Sequence, residues 1–222
     1  MKHQMNFFSD VPVHGDERDE YDRYYTPEWP TRLLVEYLGD DLQGCVWEPA
    51  CGMDWIGRIV RTVKKVWLYV GTDLDPEAEC GHWEHYSNEF VRWGIQKSLN
   101  FLTVGLDWIR KVFRNGCDWL ITNPPYDTEH ASAAQFVERA LELQRLGLVK
   151  NFAMLLRIGW LEPCDDRKLI FQENPPSEVV VLPRVHYVGG AKQNNQTSAW
   201  FIWRAGEHTR TELKVLVEKP RP

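Results

Sequence analysis

Apolar residues recur along this chain in short runs that alternate with longer amphipathic stretches. Residues 45–47, 66–70, 119–122, 152–158, 179–182 and 199–203 are compact apolar runs rich in Val, Ile, Trp and Phe, which predicts strands. A further strand is expected to end at Asn100-Phe101-Leu102. Between them, residues 30–38 place Leu33, Leu34 and Leu38 on one face. Residues 131–146 do the same with Phe136, Ala140 and Leu143, so both segments predict helices. Val60 to Val63 belong to a helix after the first strand. Strands alternating with helices predict an α/β fold, a mostly parallel seven-stranded sheet with helices on both faces. The last two runs lie close together with a Gly/Asn-rich loop between them. They are expected to pair antiparallel, leaving the last strand antiparallel to the sheet.

The 222 residues suit a single domain. Residues 1–22 are polar, acidic and aperiodic, and are expected to form a mobile arm ahead of one domain over 23–222. No run reaches the length of a membrane span, and no basic-then-apolar leader opens the chain. Five scattered cysteines do not form a disulfide framework. A cytoplasmic protein is expected. Cys80, His82 and His85 have ligand-like spacing but no evident fourth ligand, so no metal is expected.

Charge points two ways. The net charge is −6, which does not favour a nucleic-acid binder. Residues 1–23 carry six acids and three bases, while 184–222 carry seven bases and three acids. The basic, aromatic C-terminal end therefore supplies candidate nucleic-acid contacts at Arg184, Lys192, Phe201 and Trp203. Arg204 is a further candidate for a phosphate.

The chemistry collects at predicted strand ends, where open α/β sheets bind ligands. The first strand runs into Glu48-Pro49-Ala50-Cys51-Gly52, whose small residues let backbone approach a ligand. The second ends at Asp73-Leu74, and an acid there can accept from both hydroxyls of a ribose. No Gly-x-Gly-x-x-Gly pattern is present, which argues for a nucleoside cofactor without a pyrophosphate. The fourth strand ends at Asn123-Pro124-Pro125-Tyr126. A ring-conjugated exocyclic amine is a poor nucleophile because its lone pair is delocalised. The Asn123 oxygen and a carbonyl of the proline pair can accept its two N–H groups and aim that lone pair at an electrophile. The prolines stiffen the loop, and Tyr126 offers a face for a base.

These segments resemble the amino-methyltransferases of DNA, specifically the small phage-type N6-adenine enzymes in unpermuted order. Asn123-Pro124-Pro125-Tyr126 resembles their catalytic motif and Glu48 to Gly52 their cofactor motif. Tyr24-Tyr25-Thr26-Pro27 is similar to a cofactor-contacting Tyr-x-Thr-Pro segment, and Asn100-Phe101 to a position near the cofactor's adenine ring. Asp54 stands where the family often has a second glycine, and Asn100 where it often has Asp. The resemblance implies a class I methyltransferase fold, S-adenosylmethionine as cofactor, DNA as substrate and base flipping. The alternatives are methylation of RNA bases or of a protein glutamine amide. No separate target-recognition domain is expected. Recognition loops are expected within 80–93 and 189–196.

Overall fold

A computed structural model of the chain describes residues 26–76, 78, 86–87, 92–126, 132–164, 167–185, 197–206 and 208–217. The predicted N-terminal arm, Tyr24, Tyr25 and Lys192 lie outside the described residues, as do Cys80, His82, His85 and the whole 189–196 loop.

The strands are β1 (Gly44–Pro49), β2 (Val66–Thr72), β3 (Tyr86–Ser87), β4 (Arg92–Gln96), β5 (Cys117–Thr122), β6 (Val149–Arg157), β7 (Glu178–Val181), β8 (Ser198–Trp203) and β9 (Glu212–Val215). The helices are α1 (Glu28–Leu38), α2 (Trp55–Val60), α3 (Leu106–Val112), α4 (Ala133–Arg145) and α5 (Lys168–Glu173). The strands form one sheet in the order β3-β4-β2-β1-β5-β6-β8-β7-β9. β4, β2, β1, β5 and β6 run parallel. β8 pairs antiparallel with β7, as the sequence predicts, and inserts between β6 and β7.

Two expectations need correction. The sheet has nine strands, not seven, because β3 and β9 add one short strand at each edge. The third central strand is Arg92–Gln96, and Asn100-Phe101-Leu102 is a turn beyond it. The Asn100 side-chain oxygen accepts from the Leu102 N–H at 2.9 Å, an Asx arrangement that bends the chain instead of extending it. β4 escaped notice because Arg92, Gly94 and Gln96 interrupt its apolar positions.

Strand alternation divides the core into two layers. Trp47, Leu120, Phe152, Val179 and Phe201 face one side with α3, α4 and α5. Val46, Trp119, Ala153, Val180 and Trp200 face the other with α1 and α2. Helices therefore cover both faces, which explains why the central strands read as continuous apolar runs. α4 begins where Ser132 caps it. Its hydroxyl accepts from the Gln135 N–H while the Gln135 side chain accepts from the Ser132 N–H. α1 stops at Gly39, which takes φ +50. The Trp200 indole donates to the Pro30 carbonyl at 2.9 Å and ties α1 to β8. Among the described residues, no helix is long and apolar enough to cross a membrane.

Candidate functional site

Parallel packing brings the carboxyl ends of β1, β2 and β5 side by side. The Thr122 hydroxyl at the end of β5 donates to the Pro49 carbonyl at the end of β1 (2.9 Å). The chain that leaves β1 folds back on β2, with the Ala50 and Cys51 N–H groups both donating to the Thr72 carbonyl at 2.7 and 3.0 Å. Ala50, Gly52 and Asp54 all have positive φ, so this loop is a tight, partly left-handed turn.

Asp73 holds the loop from the next strand. Its carboxylate accepts the Gly52 N–H at 2.7 Å and the Asp75 N–H at 2.9 Å. Burial pushes its carboxyl above the usual aspartate range, and those backbone donors oppose the shift. Leu74 follows in the same loop, half-buried.

Behind the loop sits a buried polar cluster that the sequence did not reveal. The Tyr69 hydroxyl of β2 donates to Glu48, which is 2% exposed, and lies 3.0 Å from Asp54 Oδ1. Arg61 grips Asp54 through two hydrogen bonds of 2.9 and 2.5 Å and lies over the Tyr69 ring at 4.9 Å. Burial and the two carboxylates push the Tyr69 phenol far above its ordinary range. Asp54, which marked a departure from a glycine in the sequence, adopts the left-handed conformation a glycine would (φ +62) and anchors Arg61.

Asn123 completes the cleft. Thr26, Glu48, Cys51, Gly52, Trp55 and Asn123 all line it. The Asn123 amide donates to the Thr26 hydroxyl at 3.0 Å. Its oxygen accepts from the Tyr126 hydroxyl at 3.3 Å, which also reaches the Leu155 carbonyl at 2.9 Å. Pro124 is buried and Pro125 half-buried, which fixes the loop between the two polar residues. Thr26 and Pro27, read from the sequence as cofactor contacts, stand at the start of α1, and Thr26 reaches the proposed catalytic asparagine.

The cleft can be tested against a nucleoside cofactor. The described walls enclose only about 40 Å³, room for a few waters, so the donor set and not the volume carries the comparison. A Cβ on Gly52 would meet nothing within 4 Å, so the space above the turn is open. The Trp55 indole nitrogen, beside the cleft, is buried with no partner among the described residues. A buried unsatisfied donor at a cleft wall suits a polar ligand. Open space above Gly52, the Glu48 carboxylate and the Trp55 donor fit such a group. Trp55 had no signal in the sequence, since an indole beside a turn reads as core.

Other predicted contacts lie elsewhere. Phe101 is in the core against Trp47 and Phe136, at centroid distances of 5.2 and 4.8 Å. Phe201 and Trp203, expected at a nucleic-acid surface, are buried at 0% and 2% exposure. Trp203 stacks on Phe152 at 4.7 Å, and its strand is covered on both faces. Arg184 is exposed. Arg204 is engaged by Glu178 and by Asp41 and is not an open phosphate contact.

A second cavity of about 480 Å³ lies against Tyr126. Tyr126, Ala133, Ala134, Arg157, Trp160 and Arg167 line it. The Arg157 guanidinium lies over the Tyr126 ring at 4.8 Å, so one face of that tyrosine is already covered.

No family model matches the chain, and no curated protein sequence matches it. Solved structures do. The methyltransferase subunit of a type I restriction-modification system from Streptococcus thermophilus superimposes with a TM-score of 0.59 at 16% identity, over 90% of this chain. This chain spans about half of that subunit, 48% of its length. A candidate RNA methyltransferase from Pyrococcus horikoshii gives a TM-score of 0.58 at 13% identity, covering 89% of this chain and 93% of that one. A human methyltransferase 10 domain containing protein gives 0.54 at 14% identity, with 89% and 91% covered.

The chain has the methyltransferase fold. The parallel sheet presents the ends of β1, β2 and β5 side by side, where Glu48, Asp73 and Asn123 stand.

Proposed function

We propose that the chain transfers the methyl group of S-adenosylmethionine to the exocyclic N6 amine of adenine in DNA. The observation that carries this reading is the position of Asn123, on the same cleft as the Glu48–Gly52 turn and held between Thr26 and Tyr126. The cofactor, when bound, supplies a methyl group already activated on sulfonium. The protein therefore has mainly to position and orient the partners.

Glu48, Gly52, Trp55 and the Asp73-held turn would hold the cofactor. The Asn123 oxygen accepts one N–H of the amine, and a carbonyl of Pro124 or Pro125 accepts the other. Thr26 fixes the asparagine by accepting from its amide, so the oxygen is turned away from Thr26. The Tyr126 ring offers a surface for the base. A duplex target must leave the stack at a cost of a few kcal/mol, and aromatic stacking returns roughly 1–3 kcal/mol of it.

An RNA adenine is the second reading. The overlap with the Pyrococcus horikoshii protein along 93% of that chain supports it.

The test is incubation with labelled S-adenosylmethionine and unmodified DNA or RNA, followed by digestion to nucleosides. Label in N6-methyladenine from DNA is expected, and it is lost in Asn123→Ala. Intact cofactor binding with no label in adenine from either polymer overturns the reading.

A further inference from the structure

The cavity beside Tyr126 differs in character from the rest of a molecule whose net charge is −6. Two of its described lining residues are arginines and none is acidic. Arg157 ends β6, and Arg167 precedes α5. Each lies against an aromatic ring, Arg157 on Tyr126 at 4.8 Å and Arg167 on Trp160 at 5.7 Å. A guanidinium over an aromatic ring is attracted by the ring face, which limits its motion.

The two cations differ in one respect. Arg167 donates to the Cys164 sulfur at 2.8 and 2.5 Å and to the Gly159 carbonyl at 3.2 Å, so it is held in place. Arg157 is half-buried, yet among the described residues no hydrogen bond or ion pair engages its guanidinium. A partly desolvated guanidinium with donors to offer favours an anion. The first turn of α4 also lines the cavity. Its Ala133 and Ala134 N–H groups precede the intrahelical ladder, and the helix dipole puts partial positive charge there.

We infer that this cavity is an anion subsite that binds a phosphodiester of the substrate strand, with Arg157 as the principal contact and Arg167 and the α4 N-terminus in support. The inference rests on the nucleic-acid reading of the adjacent loop. Tyr126 is shared: its hydroxyl reaches Asn123 and its ring supports Arg157, so a strand gripped at Arg157 is registered directly against the proposed methyl-accepting position. The guanidinium fork suits two phosphate oxygens at once. The contact carries no base information.

The test is binding, read apart from methyl transfer. A fluorescein-labelled single-stranded DNA 12-mer is titrated with the full chain by fluorescence anisotropy, between 50 and 200 mM KCl. Arg157→Ala is expected to weaken binding about tenfold. It should also flatten the plot of log affinity against log salt by about 0.7 for one lost single-strand phosphate contact. Arg157→Lys should restore the slope without the full affinity. Lys150→Ala, at the opposite end of β6, should change neither. Should Arg157→Ala fail to melt cooperatively, the wild-type protein carries the test with oligonucleotides bearing one neutral methylphosphonate. One position in the scan should cost the wild type about tenfold and cost Arg157→Lys less. An RNA 12-mer of the same sequence shows which strand supplies the phosphate.

Unchanged affinity and slope in Arg157→Ala overturn the inference, as does failure of both strands to bind at 50 mM KCl. Strand binding that depends on Arg157, with no label in adenine, sinks the methylation reading and leaves the subsite standing. Label in adenine with Arg157-independent binding does the reverse.

Discussion

The side-chain amide of Asn123 donates to the hydroxyl of Thr26 at 3.0 Å, across 97 positions of sequence. That contact turns the asparagine oxygen toward Tyr126, where an amine would need it. Thr26→Val keeps the shape and removes the acceptor. It is expected to lower the turnover number roughly tenfold, the equivalent of about 1.4 kcal/mol of lost orientation. Cofactor affinity, measured by calorimetry, should change far less. Equal losses in both would make Thr26 a cofactor contact and not a positioning residue.

Gly52 tests the cofactor cleft. A side chain there meets nothing within 4 Å, but the residue has φ +49. Gly52→Ala should therefore cost about 1–2 kcal/mol of stability for the left-handed backbone. The new methyl would project into the space assigned to the cofactor. S-adenosylmethionine affinity is expected to drop at least tenfold. Unaltered affinity would place the cofactor elsewhere.

The buried cluster behind the turn predicts large effects on stability. A Cβ at Gly57 would sit 2.0 Å from Asp54 Oδ1 and 2.3 Å from the Tyr69 hydroxyl. Gly57→Ala should lower the unfolding free energy by about 2 kcal/mol or more through overpacking. Arg61→Met removes the cation that holds Asp54, whose side chain is only 9% exposed. The loss there should be about 3 kcal/mol, because an uncompensated buried carboxylate remains. Urea unfolding of both variants measures this, and a change under 0.5 kcal/mol in Arg61→Met would show that the pair is not structural.

Asp73 gives a pH dependence with a definite sign. Its carboxyl titrates above the ordinary 3.8 in the folded protein because burial disfavours the charge. The folded state then binds a proton more readily than the unfolded chain. The contribution of Asp73 to stability is full below about 3.8 and is lost as pH rises through the raised folded value. Thermal melts of wild type and Asp73→Asn between pH 4 and pH 8 should show the wild type losing ground as pH rises. A relative stability that grew over that window would contradict the assignment.

Strand ends were the legible part of the sequence. The apolar runs at Val46-Trp47, Tyr69-Val70 and Leu120-Ile121 are buried on both faces, so they announce themselves without alternation and deliver Glu48, Asp73 and Asn123 to one edge. β3 and β9 were not legible because they are short edge strands, and β9 is exposed along its length. The roles of Tyr69 and Arg61 were hidden for another reason. A tyrosine in a strand reads as a strand former, and only its hydroxyl, placed between Glu48 and Asp54, shows otherwise. The tryptophans misled in the opposite direction. Trp203 resembled a stacking surface in composition, but β8 lies between β6 and β7 and has no free face. Arg157 and Tyr126 are paired only by the parallel register of β5 and β6, which no local pattern encodes.

The cleft and the cavity beside Tyr126 have no described lining residue in common: Asn123 belongs to one and Tyr126 to the other. The Asn123–Tyr126 loop thus borders both, with Asn123 at the cleft and Tyr126 at the cavity. On the proposed reading, spent cofactor could be exchanged through its own opening while a strand stays seated in the other. Such a layout permits repeated turnover along one polymer without release, and it removes any structural need for the two ligands to arrive in a fixed order.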